Sequence, residues 1–200
     1  MKTQIKVIFW DLEDVCVKNI IEPALNSYGV EYGDIQRKAW KECITGKINE
    51  REFFRRAVEG TESESKVDEI LLRATEIIQL KENGALPLIK SLYSKIRQGV
   101  ISNQALYFTD YIDKKFGIKK YIEDDLFIVS SAVGCDKSGT KIFEIALQRA
   151  GVKGSEALFF DDKQKYVDVS VRAGLNAELF TTGDEAERVL REKYQIIGSA

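Results

Sequence analysis

Residues 5–17 read IKVIFWDLEDVCV, and the fold follows from the change of character at Asp11. The run Val7-Ile8-Phe9-Trp10 is continuously apolar and rich in branched and aromatic side chains, as a strand buried on both faces requires. It passes straight into Asp11, Glu13 and Asp14. Carboxylates this close repel one another, and burying any of them is costly unless a cation compensates. A strand of this kind belongs in a parallel sheet, and acids at its carboxyl end stand where such sheets bind ligands.

Outward from that strand, short apolar runs recur at residues 99–101, 126–129, 157–160 and, more weakly, 177–180. Helical patterns lie at 108–116, 140–150 and 163–173. Gly117, Gly151 and Gly174 stand where helix C-caps belong. Alternation of this kind predicts an α/β fold: a three-layer, Rossmann-like parallel sheet with helices on both faces. One region breaks the pattern. Residues 35–43, 49–58 and 64–79 read as amphipathic helices with no strand among them, and Trp40, Phe53, Phe54, Ile70, Leu71, Ile77 and Ile78 form their expected core. The alternation resumes over 86–97. The expected organisation is a core of residues 1–17 and 84–200, with an inserted α-helical cap of residues 18–83.

Composition narrows the chemistry. The chain has 200 residues, 44% hydrophobic and 31% charged, with a net charge of −2. There is no basic patch of the kind that marks nucleic-acid binding. No apolar run approaches the roughly 20 residues needed to cross a bilayer, and no signal-peptide pattern opens the chain. Cys16, Cys43 and Cys135 form an odd set without CxxC spacing and read as free thiols. A cytoplasmic protein, monomeric or homodimeric, is expected. The chain has no histidine, which removes the histidine-based triads and zinc sites. Acid–base work falls to carboxylates, Lys or Tyr.

Ligands in such sheets bind beyond the carboxyl ends of the strands. There the sequence places Asp11, Glu13 and Asp14, then Ser102 and Asn103, then the loop SSAVGCDKSG with Lys137, then Asp161 and Asp162. Carboxylates from two loops suit a hard cation such as Mg²⁺, which commonly binds one or two carboxylates together with a substrate phosphate. A hydroxyl, an amide and an ammonium suit the phosphate itself. The set points to magnesium-dependent phosphoryl transfer, with Asp11 as the expected nucleophile.

These segments resemble the four motifs of the haloacid dehalogenase-like superfamily, most of whose members are phosphohydrolases. D11-L12-E13-D14-V15 stands for the Asp-x-Asp motif, Ser102 in VISN for the second, Lys137 in KSGTKIF for the third, and Asp161-Asp162 for the paired acids. They occur in order, with an insertion between the first and second that is similar to the helical-cap subgroup. The resemblance implies that Asp11 attacks phosphorus and forms an aspartyl-phosphate. It implies that Asp11, the Glu13 carbonyl and Asp162 hold Mg²⁺, with Asp161 bound to it directly or through water. Ser102 and Lys137, assisted by Asn103, would bind the phosphoryl group of a small phosphorylated metabolite.

The chain departs from the motifs at four places. Glu13 stands where the acid–base Asp is usual, and Asp14 where Gly is usual. Ser138 replaces a Pro, and Lys163 replaces a common Ser. Glu and Asp differ little in intrinsic acidity, about 4.3 against 3.9. They differ in reach by roughly 1 Å, and displacements of that size can cost about 10²-fold in rate. The alternative to a phosphatase is therefore a relative that binds phosphate compounds without turnover. A metal-free dehalogenase is a third reading, opposed by the paired acids, which it would leave uncompensated. Elsewhere, residues 123–125 read as a solvated acidic loop at the wrong sheet edge and Cys16 as a buried small residue. Lys141 reads as a residue of the helix after Lys137.

Overall fold

The computed structural model describes residues 4–198. The terminal residues 1–3 and 199–200, which the expected core includes, lie outside the described residues. Five parallel strands form one sheet: β1 (Val7–Trp10), β2 (Arg97–Ser102), β3 (Phe127–Val129), β4 (Ala157–Asp161) and β5 (Asn176–Leu179), in spatial order β3-β2-β1-β4-β5. β1 is central and buried throughout. Its alternate residues serve two different cores, as the period of two in a strand demands. Ile8 and Trp10 pack into one hydrophobic cluster, while Val7 and Phe9 pack into a second. The α/β, three-layer expectation holds.

The second cluster is closed by α8 (Lys141–Ala150) and α9 (Gln164–Arg172), through Ile142, Phe143, Ala146 and Val169. The first is closed by α5 (Leu86–Leu92), α6 (Leu106–Phe116) and α10 (Gly183–Glu192). One polar pair crosses this core. The Trp10 indole N–H donates to Gln98 Oε1 at 3.1 Å, and Gln98 Nε2 donates to the Ile89 carbonyl at 2.9 Å, so the buried indole is satisfied. As expected, Gly117 and Gly151 end α6 and α8 in the left-handed conformation.

Between β1 and α5 the chain is helical: α1 (Ile21–Asn26), α2 (Asp34–Cys43), α3 (Glu50–Val58) and α4 (Val67–Glu76). α3 starts where Asn49 accepts a hydrogen bond from the Glu52 N–H at 2.8 Å. Phe53, Phe54, Ile70 and Ile78 are buried, with Trp40, Leu71 and Ile77 packed against them. This cluster is continuous with the sheet's first core: Phe54 and Trp40 both meet Phe108 of α6, with ring centroids 6.5 and 6.3 Å apart. On the other side, the Lys41 ammonium lies 3.4 Å from Asp136 and the same distance from the Ser138 hydroxyl. The helices thus rest on the loop that carries Lys137.

Several boundaries differ from those read in the sequence. The expected helix over 64–79 is a 3-10 turn at Glu64–Lys66 followed by α4, because Ile77 takes the C-cap and the chain leaves to pair Leu80 with Val17. Residues 86–97 contain only the short α5. The chain then turns back into the sheet beside β1, and Arg97 already belongs to β2. The loop after β3 holds one helical turn, α7 (Ser130–Val133), ended by Gly134 at φ +70°. No helix among the described residues is long and apolar enough to cross a membrane.

Candidate active site

The sheet register brings the acids together. One step beyond the paired residues Trp10 and Phe160 stand Asp11 and Asp161, and the Asp11 N–H donates to the Phe160 carbonyl at 3.0 Å. Asp11, Asp161 and Asp162 each offer an oxygen within 4.8 Å of the others. Lys137 answers the repulsion among them. It is 1% exposed, with Nζ 2.8 Å from Asp11 Oδ2 and 2.5 Å from Asp161 Oδ2. Its ring neighbours are Tyr166 and Phe159, with centroids 4.9 and 5.6 Å from Nζ. Burial alone would depress this ammonium, but Asp11 and Asp161 outweigh it and hold its pKa above the usual lysine value. Lys141 takes no part: it is exposed at the start of α8, with Glu144 at 3.9 Å.

Three buried oxygens have no hydrogen-bond partner among the described residues: Asp11 Oδ1, Asp162 Oδ1 and Ser102 Oγ. Orphaned buried polar atoms call for a ligand. Two carboxylate oxygens on neighbouring strand ends suit a divalent cation, and a buried hydroxyl at the end of β2, the strand paired with β1, suits an anion. Asp161 is more fully used by the protein. Its Oδ2 meets Lys137, and its Oδ1 accepts the Lys163 N–H at 2.8 Å. Burial raises Asp161 to about 6, with Lys137 opposing the rise and Asp11 adding to it. Burial raises Asp162 as well, against the pull of Lys163.

Asn103 lines the cleft but spends its side-chain oxygen on the Lys137 N–H at 2.8 Å, so it fixes the lysine loop. Asp136, on the same loop, accepts from the Ser138 N–H at 2.9 Å and from its hydroxyl. The Ser that stands in place of Pro thus ties the loop through its side chain.

The atypical first motif has a local explanation. Asp14 has φ +58°, in the left-handed region where Gly is the default; Asp tolerates it better than most residues. Glu13 lines the cleft, with its side chain 16% exposed. Asn19 Nδ2 donates to Glu13 Oε1 at 3.3 Å, and Lys163 Nζ lies 3.9 Å from the same oxygen. Burial pushes Glu13 up to about 7; Lys163 opposes this, while Asp11, Asp14 and Asp162 add to it. The longer acid and the unusual Lys163 therefore occur as a pair. Cys16 is buried, donates its thiol to the Asp11 carbonyl at 3.6 Å, and is pushed up by burial, which leaves it unreactive. Glu123 pairs with Arg97, the first residue of β2, at the other end of the sheet.

The site opens into a cleft of about 620 Å³ between α2 and α9. Its walls include residues that sequence reasoning missed: Asn19, Tyr32, Arg37, Lys41, Lys165 and Arg172. Their signal was faint. Arg37 and Lys41 are spaced i,i+4, which shows a shared helix face but not what that face looks upon. A concavity of about 1000 Å³ around Arg97, Tyr121 and Tyr194 lies at the opposite end of the strands, away from the acids.

Residues 5–169 match the family model for haloacid dehalogenase-like hydrolases. The pyrimidine 5'-nucleotidase YjjG of Escherichia coli (strain K12) is 26% identical over 157 residues, which are 76% of this chain and 68% of that protein. Among solved structures, a haloacid dehalogenase family enzyme of Bacteroides thetaiotaomicron, complexed with magnesium and inorganic phosphate, superposes with a TM-score of 0.77. It is 18% identical, over 94% of this chain and 100% of that one. A 2-haloacid dehalogenase from Pseudomonas syringae pv. Tomato DC3000 gives 0.63 at 19% identity, over 88% of this chain and 86% of that one.

Proposed function

Because the chain belongs to the haloacid dehalogenase-like hydrolase family, we propose that it is a magnesium-dependent phosphatase of small phosphomonoesters that works through an aspartyl-phosphate on Asp11. The observation that carries the reading is the buried cluster itself: Asp11 held by Lys137, with unpartnered oxygens on Asp11, Asp162 and Ser102. Asp11, Asp162 and the Glu13 carbonyl would hold the cation, with Asp161, whose oxygens also meet Lys137 and the Lys163 N–H, joining directly or through water. The bound cation would offset negative charge on the phosphoryl oxygens. The paired acids favour this over the dehalogenase reading, in which Asp162 would keep a buried, unpaired oxygen.

The chain's own residues supply the rest. The Asp11 carboxylate attacks phosphorus, an O–P bond forms, and the P–O bond to the leaving alcohol breaks. Lys137 and the Ser102 hydroxyl donate to the phosphoryl oxygens as charge develops there. Glu13 gives its proton to the departing alkoxide. It then takes a proton from water, whose oxygen attacks phosphorus, releasing inorganic phosphate and restoring the Asp11 carboxylate. Residues 18–83 act as the cap, and Lys41 on α2 brings them against the Lys137 loop. Closure there excludes water and selects the substrate.

The test is phosphate release from a panel of phosphomonoesters, with Mg²⁺ and with chelator, by wild type and Glu13→Asp. Wild type should hydrolyse at least one ester in a Mg²⁺-dependent manner. In Glu13→Asp the carboxyl retreats roughly 1 Å from Asn19, and kcat should fall about 10²-fold. A large gain in rate on shortening Glu13 would favour the non-catalytic binding reading. Absence of turnover across the panel, with phosphate binding intact, would establish it.

A further inference from the structure

We propose that the preferred substrate carries a second anionic group, a phosphate or a carboxylate, held by Arg37 and Lys41 of α2 and by Lys165 and Arg172 of α9. The inference deepens the phosphatase reading and rests on it for the identity of the first phosphate. All four cations line the same cleft as Asp11 and Lys137. Arg37 and Lys41 are one helical turn apart on α2. Lys165 and Arg172 are seven residues, or two turns, apart on α9, so each wall presents its cations along one face.

What distinguishes this wall from an ordinary solvated surface is its missing counter-charge. The deeper lysines are matched: Lys137 by Asp11 and Asp161, Lys163 by Glu13. Lys41 has Asp136 at 3.4 Å. Among the described residues Arg37 pairs only with the fully exposed Asp34, also at 3.4 Å, a pairing worth little in water. Lys165 and Arg172 make no ion pair among the described residues. Asp168 is spaced to serve either, three residues after Lys165 and four before Arg172, yet it accepts from Gln164 Nε2 at 2.7 Å. The surplus is local, because the chain as a whole carries a net charge of −2. A ligand that fills the cleft and ends in a second anion would supply what the walls lack, and the two arginines could grip phosphate or carboxylate oxygens in fork geometry. Tyr32 and Trp40 line the same space and would flank the ligand's body.

The experiment compares three sugars of similar size: a bisphosphate, a monophosphate carrying a carboxylate, and a neutral monophosphate. In wild type, at least one of the two doubly anionic compounds should exceed the neutral monophosphate by about tenfold or more in kcat/KM, mainly through KM. The one that does so identifies the second group. In the Arg37→Ala/Arg172→Ala double variant that ratio should collapse to about twofold or less. Dissociation constants measured by calorimetry on Asp11→Asn should show the same ranking. This arm still decides the matter if wild type turns over none of the three, because binding to Asp11→Asn is read without turnover. Equal affinity for all three compounds, or a preference that survives loss of both arginines, would overturn the second-anion site.

Discussion

Asp11→Asn is expected to lower phosphatase turnover by about 10⁴-fold or more, the scale on which removal of a nucleophile disables covalent catalysis, while leaving the fold intact. The substitution keeps the shape of a residue that is 3% exposed. It also removes one of three like charges crowded at the strand ends, and Lys137 keeps Asp161 as its partner. Thermal denaturation should therefore show a midpoint equal to or slightly above that of wild type. Acid-quenched mass spectrometry gives a second readout. In wild type, a phosphoryl group should appear on the peptide containing Asp11 during turnover; in the variant it should not. Magnesium-stimulated activity persisting in Asp11→Asn would remove the aspartyl-phosphate mechanism, whatever the substrate.

Why this site could be read from the sequence, and its surroundings could not, has a physical basis. A strand buried on both faces must be a continuous apolar run, so VIFW and LFF mark β1 and β4 without help from tertiary context. The parallel sheet then fixes which ends of the strands share a rim. That rule names Asp11, Ser102, Lys137, Asp161 and Asp162; the sheet and the loop after β3 gather Asp11, Lys137, Asp161 and Asp162 into one cluster, and Ser102 ends the neighbouring β2. The α1 helix and the α7 turn, six and four residues long, carry too few turns to show a period. The α10 helix announces itself in sequence by its cap, where Thr182 accepts from the Glu185 N–H at 3.2 Å. The cation-lined wall was the least legible part. Arg37 and Arg172 are 135 positions apart and line one cleft only because the fold sets α2 and α9 as its walls. Nor does periodicity reveal that Asp168 is bonded elsewhere, since Lys165-Asp168-Arg172 has the spacing of an ordinary neutralised helix face. Glu13 lay between these extremes. Its departure from Asp was visible, but the compensating reach of Asn19 and Lys163 needed coordinates.

Lys137→Met should be the more damaging change to the molecule as a whole. Methionine nearly matches the lysine stem in volume, so packing against Phe159 and Tyr166 is largely kept and the loss isolates the charge. Without the ammonium, Asp11 and Asp161 face each other in a buried site with no counter-ion, and removing one partner of a buried ion pair typically costs about 3–5 kcal/mol. Urea denaturation without added metal should show a deficit of that size, and turnover should drop about 10³-fold, because the group proposed to donate to the phosphoryl oxygens is gone. The Lys137→Met/Asp11→Asn double variant separates the two effects. Deleting one of the repelling charges should return part of the lost stability, so that the two substitutions are non-additive by about 1 kcal/mol or more, while activity stays absent. Strict additivity would mean that Lys137 and Asp11 do not share one electrostatic cluster. The close contact between them would then be incidental, and the charge balance on which the catalytic reading stands would have to be sought elsewhere in the cleft.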